Sequence, residues 1–229
     1  MVENGTGKPD KQVVIFDLDG TLLQTLPSIT VSSNAMLKYF GLPSVGMDLV
    51  AGFIGNGSRI LVERLMRHAG REEPLIVEEA LKVYLDVFEI HCTDGVEPFD
   101  GVPEMLRDLR SMGADLAVVT NKNASMTARV LSAAFAPDLF SDIRGYTPSF
   151  PLKPDPSLTI DVLQNLQALP GCSFFVGDSD IDVFTGKNAG TRTIAVTWGY
   201  QPIERLRDAN PDYIADKPEE VVGFICQYL

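Results

Sequence analysis

Residues 13–22 read VVIFDLDGTL. Four apolar residues run directly into Asp17 and Asp19, followed by Gly20 and Thr21. A continuously apolar run suits a strand of a parallel sheet covered on both faces, because a strand with one wet face alternates. LAVVT (116–120), SFFVG (173–177) and TIAVT (193–197) have the same character. Between these runs the period changes to 3.6. VPEMLRDLRSMG (102–113) puts Val102, Met105, Leu106 and Leu109 on one stripe, and PSLTIDVLQNLQAL (156–169) does the same with Leu158, Val162, Leu163 and Leu166. Pro103 near the start of the first and Gly113 at its end fit helix boundaries. Strands alternating with helices predict an α/β fold on a parallel sheet.

Residues 27–94 break the alternation and read as helices only, as in GSRILVERLMRHAG and PLIVEEALKVYLDVFEIH. They predict an inserted all-helical domain, leaving 13–26 and 95–229 as the α/β core and 1–12 as a flexible polar tail. The 229 residues are 45% hydrophobic and 22% charged, a globular composition. A net charge of −12 argues against a nucleic-acid partner, which needs clustered Lys and Arg, but suits a metal cation. No apolar run approaches a membrane span and the first residues lack a signal-like stretch, so a cytoplasmic protein with no membrane partner is expected. Cys92, Cys172 and Cys226 lie far apart, without metal-ligand spacing, and predict neither a disulfide framework nor a zinc site.

Ligands of open parallel sheets bind beyond the carboxyl ends of the strands. There the polar residues accumulate: Asp17 and Asp19 after VVIF, Thr120 and Asn121 at the end of LAVVT, Asp178, Ser179 and Asp182 after SFFVG, and Lys153 in the loop PLKPDPS. Side chains of an extended segment alternate, so Asp17 and Asp19 face one side while Leu18 turns into the core. Crowded carboxylates repel unless a cation offsets them. An all-oxygen set points to Mg²⁺, often shared with substrate phosphate, and Lys153, Thr120 and Asn121 supply the charge and donors of an anion site.

The motifs DLDGTL (17–22), VVTNK (118–122), LKPDP (152–156) and GDSDID (177–182) stand in the order found in the haloacid dehalogenase superfamily. From Val13 onward the chain resembles that family's phosphatases, and among them the bacterial phosphoglycolate phosphatases. The resemblance implies a Rossmann-like core with a helical cap. It assigns Asp17 as the nucleophile that forms an aspartyl-phosphate and Asp19 as the proton donor and acceptor. Mg²⁺ would sit on the Asp17 side chain, the Asp19 carbonyl and Asp178. Thr120, Asn121 and Lys153 would hold the phosphate, and Asp182 would orient Lys153 or a metal-bound water. The cap segment GFIGNGSRILVERLM is similar to that of phosphoglycolate phosphatases, and Arg59 is expected to meet a substrate carboxylate. Gln24 and Thr25 stand where many relatives carry Asp-Ser, a difference at the approach to the cap.

Blander readings exist for several of these residues. Asp17 and Asp19 could be strand-end turn residues, and GNGSR an ordinary helix-start loop. His68 and His91 read as surface or packing residues, and Trp198, Gly199 and Tyr200 as aromatic packing over a sheet end. The expected activity is hydrolysis of a small anionic phosphate ester, 2-phosphoglycolate first, by a monomer or homodimer. Pyrophosphate, nucleotides and sugar phosphates are alternatives, as are a β-phosphoglucomutase-like phosphotransferase and a catalytically silent scaffold. Asp19 argues against a dehalogenase, since a leaving halide needs no proton.

Overall fold

The computed structural model describes residues 11–228. Its central sheet has six strands in the order β5-β4-β1-β6-β7-β8. These are β1 (Val13–Phe16), β4 (Asp115–Asn123), β5 (Asp142–Tyr146), β6 (Phe174–Gly177), β7 (Arg192–Val196) and β8 (Tyr213–Ala215), and all neighbours pair in parallel. Val13 to Phe16 are fully buried, worth about 1.5–3 kcal/mol for each larger side chain. Val14 and Phe16 join Val102, Met105 and Leu106 of α5 (Val102–Ser111) and Val221 of α10 (Pro218–Ile225). Val13 and Ile15 point the other way, onto Leu158, Val162 and Leu163 of α7 (Ser157–Asn165). Both faces of β1 are therefore covered, which is why its sequence does not alternate.

β5 and β8 were not among the expected strands. They form the two edges of the sheet, and their residues are mostly half-buried or exposed; an edge strand with one apolar side lacks the continuous apolar run. β4 also extends beyond the expected Thr120. Its pairing with β5 shifts register between Val119 and Asn123, a bulge that re-aims the residues between them.

Between β1 and α5 the chain forms four helices, α1 (Leu26–Tyr39), α2 (Met47–Ala51), α3 (Ser58–His68) and α4 (Pro74–His91). Two short antiparallel strands bracket them, β2 (Leu23–Gln24) and β3 (Glu97–Pro98), with Leu23 opposite Pro98. Among the described residues no helix is long and apolar enough to cross a membrane. Of the expected tail, residues 1–10 lie outside the described residues. Lys11 pairs with Asp115 at 2.6 Å, and the Gln12 carbonyl accepts the Asp115 N–H, so these two are anchored to the sheet.

The remaining helices are α6 (Ala124–Ala134), α8 (Asp180–Ala189) and α9 (Ile203–Ala209). Gly145 of β5 is buried, and a β-carbon there would lie 2.6 Å from the Ala124 Cα and 2.8 Å from the Lys122 carbonyl. Gly145→Ala is expected to cost about 1–3 kcal/mol by overpacking against backbone. Exposed Gly223 lies inside α10 with open space around it, so Gly223→Ala should stabilise by about 0.5–1 kcal/mol. Urea midpoints of the two variants, moving in opposite directions at similar m-values, check this.

Candidate functional site

β4, β1 and β6 are adjacent at the centre of the sheet, and their carboxyl ends bring the predicted residues together. The Asp17 N–H donates to the Val176 carbonyl at 2.9 Å, prolonging the strand direction by one residue. Leu18 is fully buried, leaving Asp17 and Asp19 on the open side. The chain then turns tightly: the Leu18 carbonyl accepts N–H groups from Thr21, Leu22 and Leu23 at 3.0–3.3 Å. Gly20 makes this turn with φ +87°, and a β-carbon on it would sit 2.3 Å from the Asp178 Oδ2. No other residue fits, for conformation and for space.

Lys153 Nζ lies 2.8 Å from Asp17 Oδ1 and 2.6 Å from Asp182 Oδ1, with its side chain almost fully buried. The contact to Asp17 is an ion pair, and Asp17 Oδ1 has no other partner among the described residues. Asp182 is committed to protein on both oxygens, since its Oδ2 accepts the Ser179 N–H at 3.1 Å and the Ser179 hydroxyl at 2.6 Å. Ser179 in turn caps α8 in a reciprocal box. Asp178 Oδ2 accepts the Tyr200 N–H at 2.7 Å.

Asn121 departs from expectation. Its side-chain amide donates to the carbonyls of Gly55 and Lys153 at 3.0 and 3.2 Å, and its Oδ1 accepts the Lys153 N–H at 2.8 Å. It ties the lysine loop to the helical segment, so its amide is not free for a ligand. Thr120 is buried, and its Oγ1 accepts the Lys122 N–H at 3.3 Å, leaving its own O–H to donate. Arg59 is exposed on the outer surface, clasped by Glu78 through both guanidinium nitrogens, the longer contact at 3.1 Å, and it does not line the cavity. His91, expected as a surface or packing residue, pairs with Asp94 at 2.6 Å on the surface.

Lys122, given no role by the sequence, and Tyr200, expected as packing over a sheet end, join the site. Lys122 Nζ binds both oxygens of Asp19, at 2.8 and 3.0 Å. Tyr200 reaches from Asp178 to the helical segment, where its hydroxyl accepts the N–H groups of Thr25 and Leu26 at 2.8 and 3.2 Å, at the start of α1. Trp198 and Gly199 also do more than pack. The indole N–H donates to the Thr21 carbonyl at 3.0 Å, and a β-carbon on Gly199 would meet the Asp178 Cβ at 2.2 Å.

Charge dominates the energetics. One carboxylate oxygen from each of Asp17, Asp178 and Asp182 lies within 4.8 Å of the others. With Asp19 the site holds four carboxylates against two ammoniums, Lys122 and Lys153. Burial pushes Asp17 up to about 6, with Asp182 and Asp19 adding to it and Lys153 opposing. Burial, then Asp182 and Asp17, push Asp178 well above the usual carboxylate range. Burial alone would lower the Lys153 pKa, but Asp17 and Asp182 outweigh it and keep the ammonium charged. The imbalance equals the charge of one divalent cation. Asp17 and Asp178 have oxygens to give it, and an all-oxygen set suits a hard ion.

Opposite the sheet edge, Ile29, Ile54, Leu61, Tyr84 and Phe88 of the helical segment close a cavity of ≈ 50 Å³ over Asp17, Asp19, Thr120, Lys122 and Asp178. It has room for a few waters, the scale of a small ligand.

The family model of the haloacid dehalogenase-like hydrolases matches residues 14–196. A phosphoglycolate phosphatase of Psychrobacter arcticus is 30% identical over 94% of this chain and 96% of its own. That of Aquifex aeolicus is 32% identical over 95% and 98%. A solved structure described as a predicted phosphoglycolate phosphatase, from Haemophilus somnus, superposes with a TM-score of 0.86 at 29% identity, covering 95% of this chain and 99% of that one. With the family's model spanning most of it and relatives aligned over nearly its whole length, the chain belongs to the haloacid dehalogenase-like hydrolases.

Proposed function

We propose that the protein is a Mg²⁺-dependent phosphomonoesterase that works through an aspartyl-phosphate on Asp17, with 2-phosphoglycolate as substrate. The observation that carries this reading is the pairing at the strand end: Asp17 held by Lys153 and Asp19 held by Lys122, both carboxylates on one side of one rigid strand. Relatives named phosphoglycolate phosphatases, aligned over nearly the whole chain, support the substrate.

Asp17 attacks phosphorus and forms the acyl phosphate, splitting one hydrolysis into two steps. Asp19 protonates the leaving oxygen, then takes a proton from the water that attacks the acyl phosphate. Lys153 offsets charge on nucleophile and phosphoryl group. The Thr120 hydroxyl donates to a phosphoryl oxygen; with the Asn121 amide committed elsewhere, the contact at that position falls to backbone N–H groups of the β4 bulge. Donors fixed in this way are worth about 3–4 kcal/mol each. Asp17, Asp178 and the Asp19 carbonyl are the groups to hold Mg²⁺, which when bound supplies positive charge beside the phosphate. Residues 27–94 act as a cap that excludes bulk water from a core made of 13–26 and 95–229. Asp182 holds Lys153 through their 2.6 Å contact.

Two outcomes are expected. Phosphate release from 2-phosphoglycolate should exceed that from hexose phosphates, nucleoside monophosphates and pyrophosphate by about tenfold or more in kcat/KM, vanish in EDTA, and fall at least about a thousandfold in Asp17→Asn. A flat profile removes the named substrate, and full activity in Asp17→Asn removes the mechanism.

The second concerns stability. Asp17 titrates near 6 in the fold, above its ordinary 3.8, so between these values the native state holds a proton that the unfolded chain has lost. Metal-free stability from this group is present below 3.8 and lost as pH rises through 6. Without metal, Asp17→Asn should melt above wild type at pH ~7.5 but not at pH ~4. Mg²⁺ at about a hundred times its Kd should raise the wild-type Tm by several degrees at pH ~7.5 and less at pH ~5. Equal shifts at both pH values would contradict the placement of the ion on Asp17.

A further inference from the structure

The cavity wall holds a second buried cation, Lys122, whose part so far is only to hold Asp19. Lys122 is 6% exposed. Its Nζ binds the two Asp19 oxygens and stands 4.8 Å from the centroid of the Phe88 ring, which α4 brings over it. Lys122 lies in the stretch of β4 where the pairing with β5 shifts register, and Gly145 makes room for its carbonyl. Lys153 is already shared between Asp17 and Asp182. Lys122 instead accompanies the carboxylate that the leaving group must approach.

Asp19 can give a proton to the ester oxygen only within hydrogen-bond reach of it. The substituent on that oxygen then lies beside Lys122 Nζ, itself 2.8 and 3.0 Å from the Asp19 oxygens. Leu61, Tyr84 and Phe88 line the cavity with Lys122, alongside Ser58, Ser179 and Gln201, and among the described lining residues Lys122 is the one cation. An anion in such a place needs a counter-charge. An ammonium has three donors; Asp19 takes two, and the third is left for a ligand.

We propose that Lys122 determines specificity: its ammonium receives the carboxylate of the leaving group, one carbon from the ester oxygen, while holding Asp19 toward that oxygen. The substrate class is the phosphate esters of small 2-hydroxy acids. This rests on the phosphatase reading above and gives Lys122 the carboxylate contact that the sequence suggested for Arg59. A neutral leaving group leaves the third donor without an anion, and a cationic one is repelled.

The test compares 2-phosphoglycolate, 2-phospholactate, 2-hydroxyethyl phosphate and phosphoethanolamine on wild type, Lys122→Met and Lys122→Arg, with Mg²⁺. Wild type is expected to favour the carboxylate esters about a hundredfold in kcat/KM, mostly through KM. In Lys122→Met that preference should collapse to within about threefold, and in Lys122→Arg, which keeps the charge, it should persist. If Lys122→Met fails to fold, Lys122→Gln carries the same comparison. Equal losses on all esters in the uncharged variant would overturn the proposal, because a residue that only orients Asp19 affects every substrate alike. A flat wild-type profile would overturn it while leaving the phosphatase reading in place. A Lys122-dependent preference for 2-phospholactate over 2-phosphoglycolate would support it and remove the named substrate. No hydrolysis of any ester would overturn both.

Discussion

Burying four carboxylates at one sheet edge with two ammoniums to meet them is the constraint on which the rest of this molecule depends. Isolated charges are too costly to bury, so each must be paired or shared. Lys153 bridges Asp17 and Asp182, Lys122 takes Asp19, and Asp178 has the Tyr200 N–H. Charge is thereby distributed but not cancelled. The remainder favours a hard cation and, through it, an anionic phosphate, so the electrostatic cost of the fold becomes the affinity of the site. Stability and function draw on the same residues, as is usual where pKa values are strongly displaced.

The fold serves that arrangement. A strand buried on both faces is a rigid support, and three neighbouring strands end at one place because the chain returns to β1 from both sides, first with β4 and later with β6. The helical segment contributes the opposite wall, and polar contacts tie it to the strand ends. Tyr200 is one of them, joining Asp178 to the first N–H groups of α1; Asn121 is another, reaching the Gly55 carbonyl. A change at the carboxylates is thus mechanically connected to the position of the wall above them.

Much of this could be read from residue order. VVIF, LAVVT, SFFVG and TIAVT all lie in strands at the middle of the sheet, where burial on both faces leaves an unmistakable apolar run. DIRGY and YIA are strands too, but at the edges, where the pattern is diluted by water. The carboxylates and Lys153 were visible because strand ends concentrate them. Lys122 was not, though it stands within VVTNK: the strand continues past Thr120 through a register shift, and nothing local marks that shift. Asn121 and Arg59 show the converse. Their side chains look like ligand-binding groups, yet both are taken by protein partners that are distant in sequence.

On this chemistry Asp17 carries the phosphoryl group during turnover. The most direct measurement is acid quenching during turnover of 2-phosphoglycolate labelled in its phosphate, followed by peptide mapping. Label is expected on the peptide containing residues 13–22, attached at Asp17, stable to acid and released by hydroxylamine as an acyl phosphate is. Turnover with no label on the protein, or label on any other residue, would contradict it.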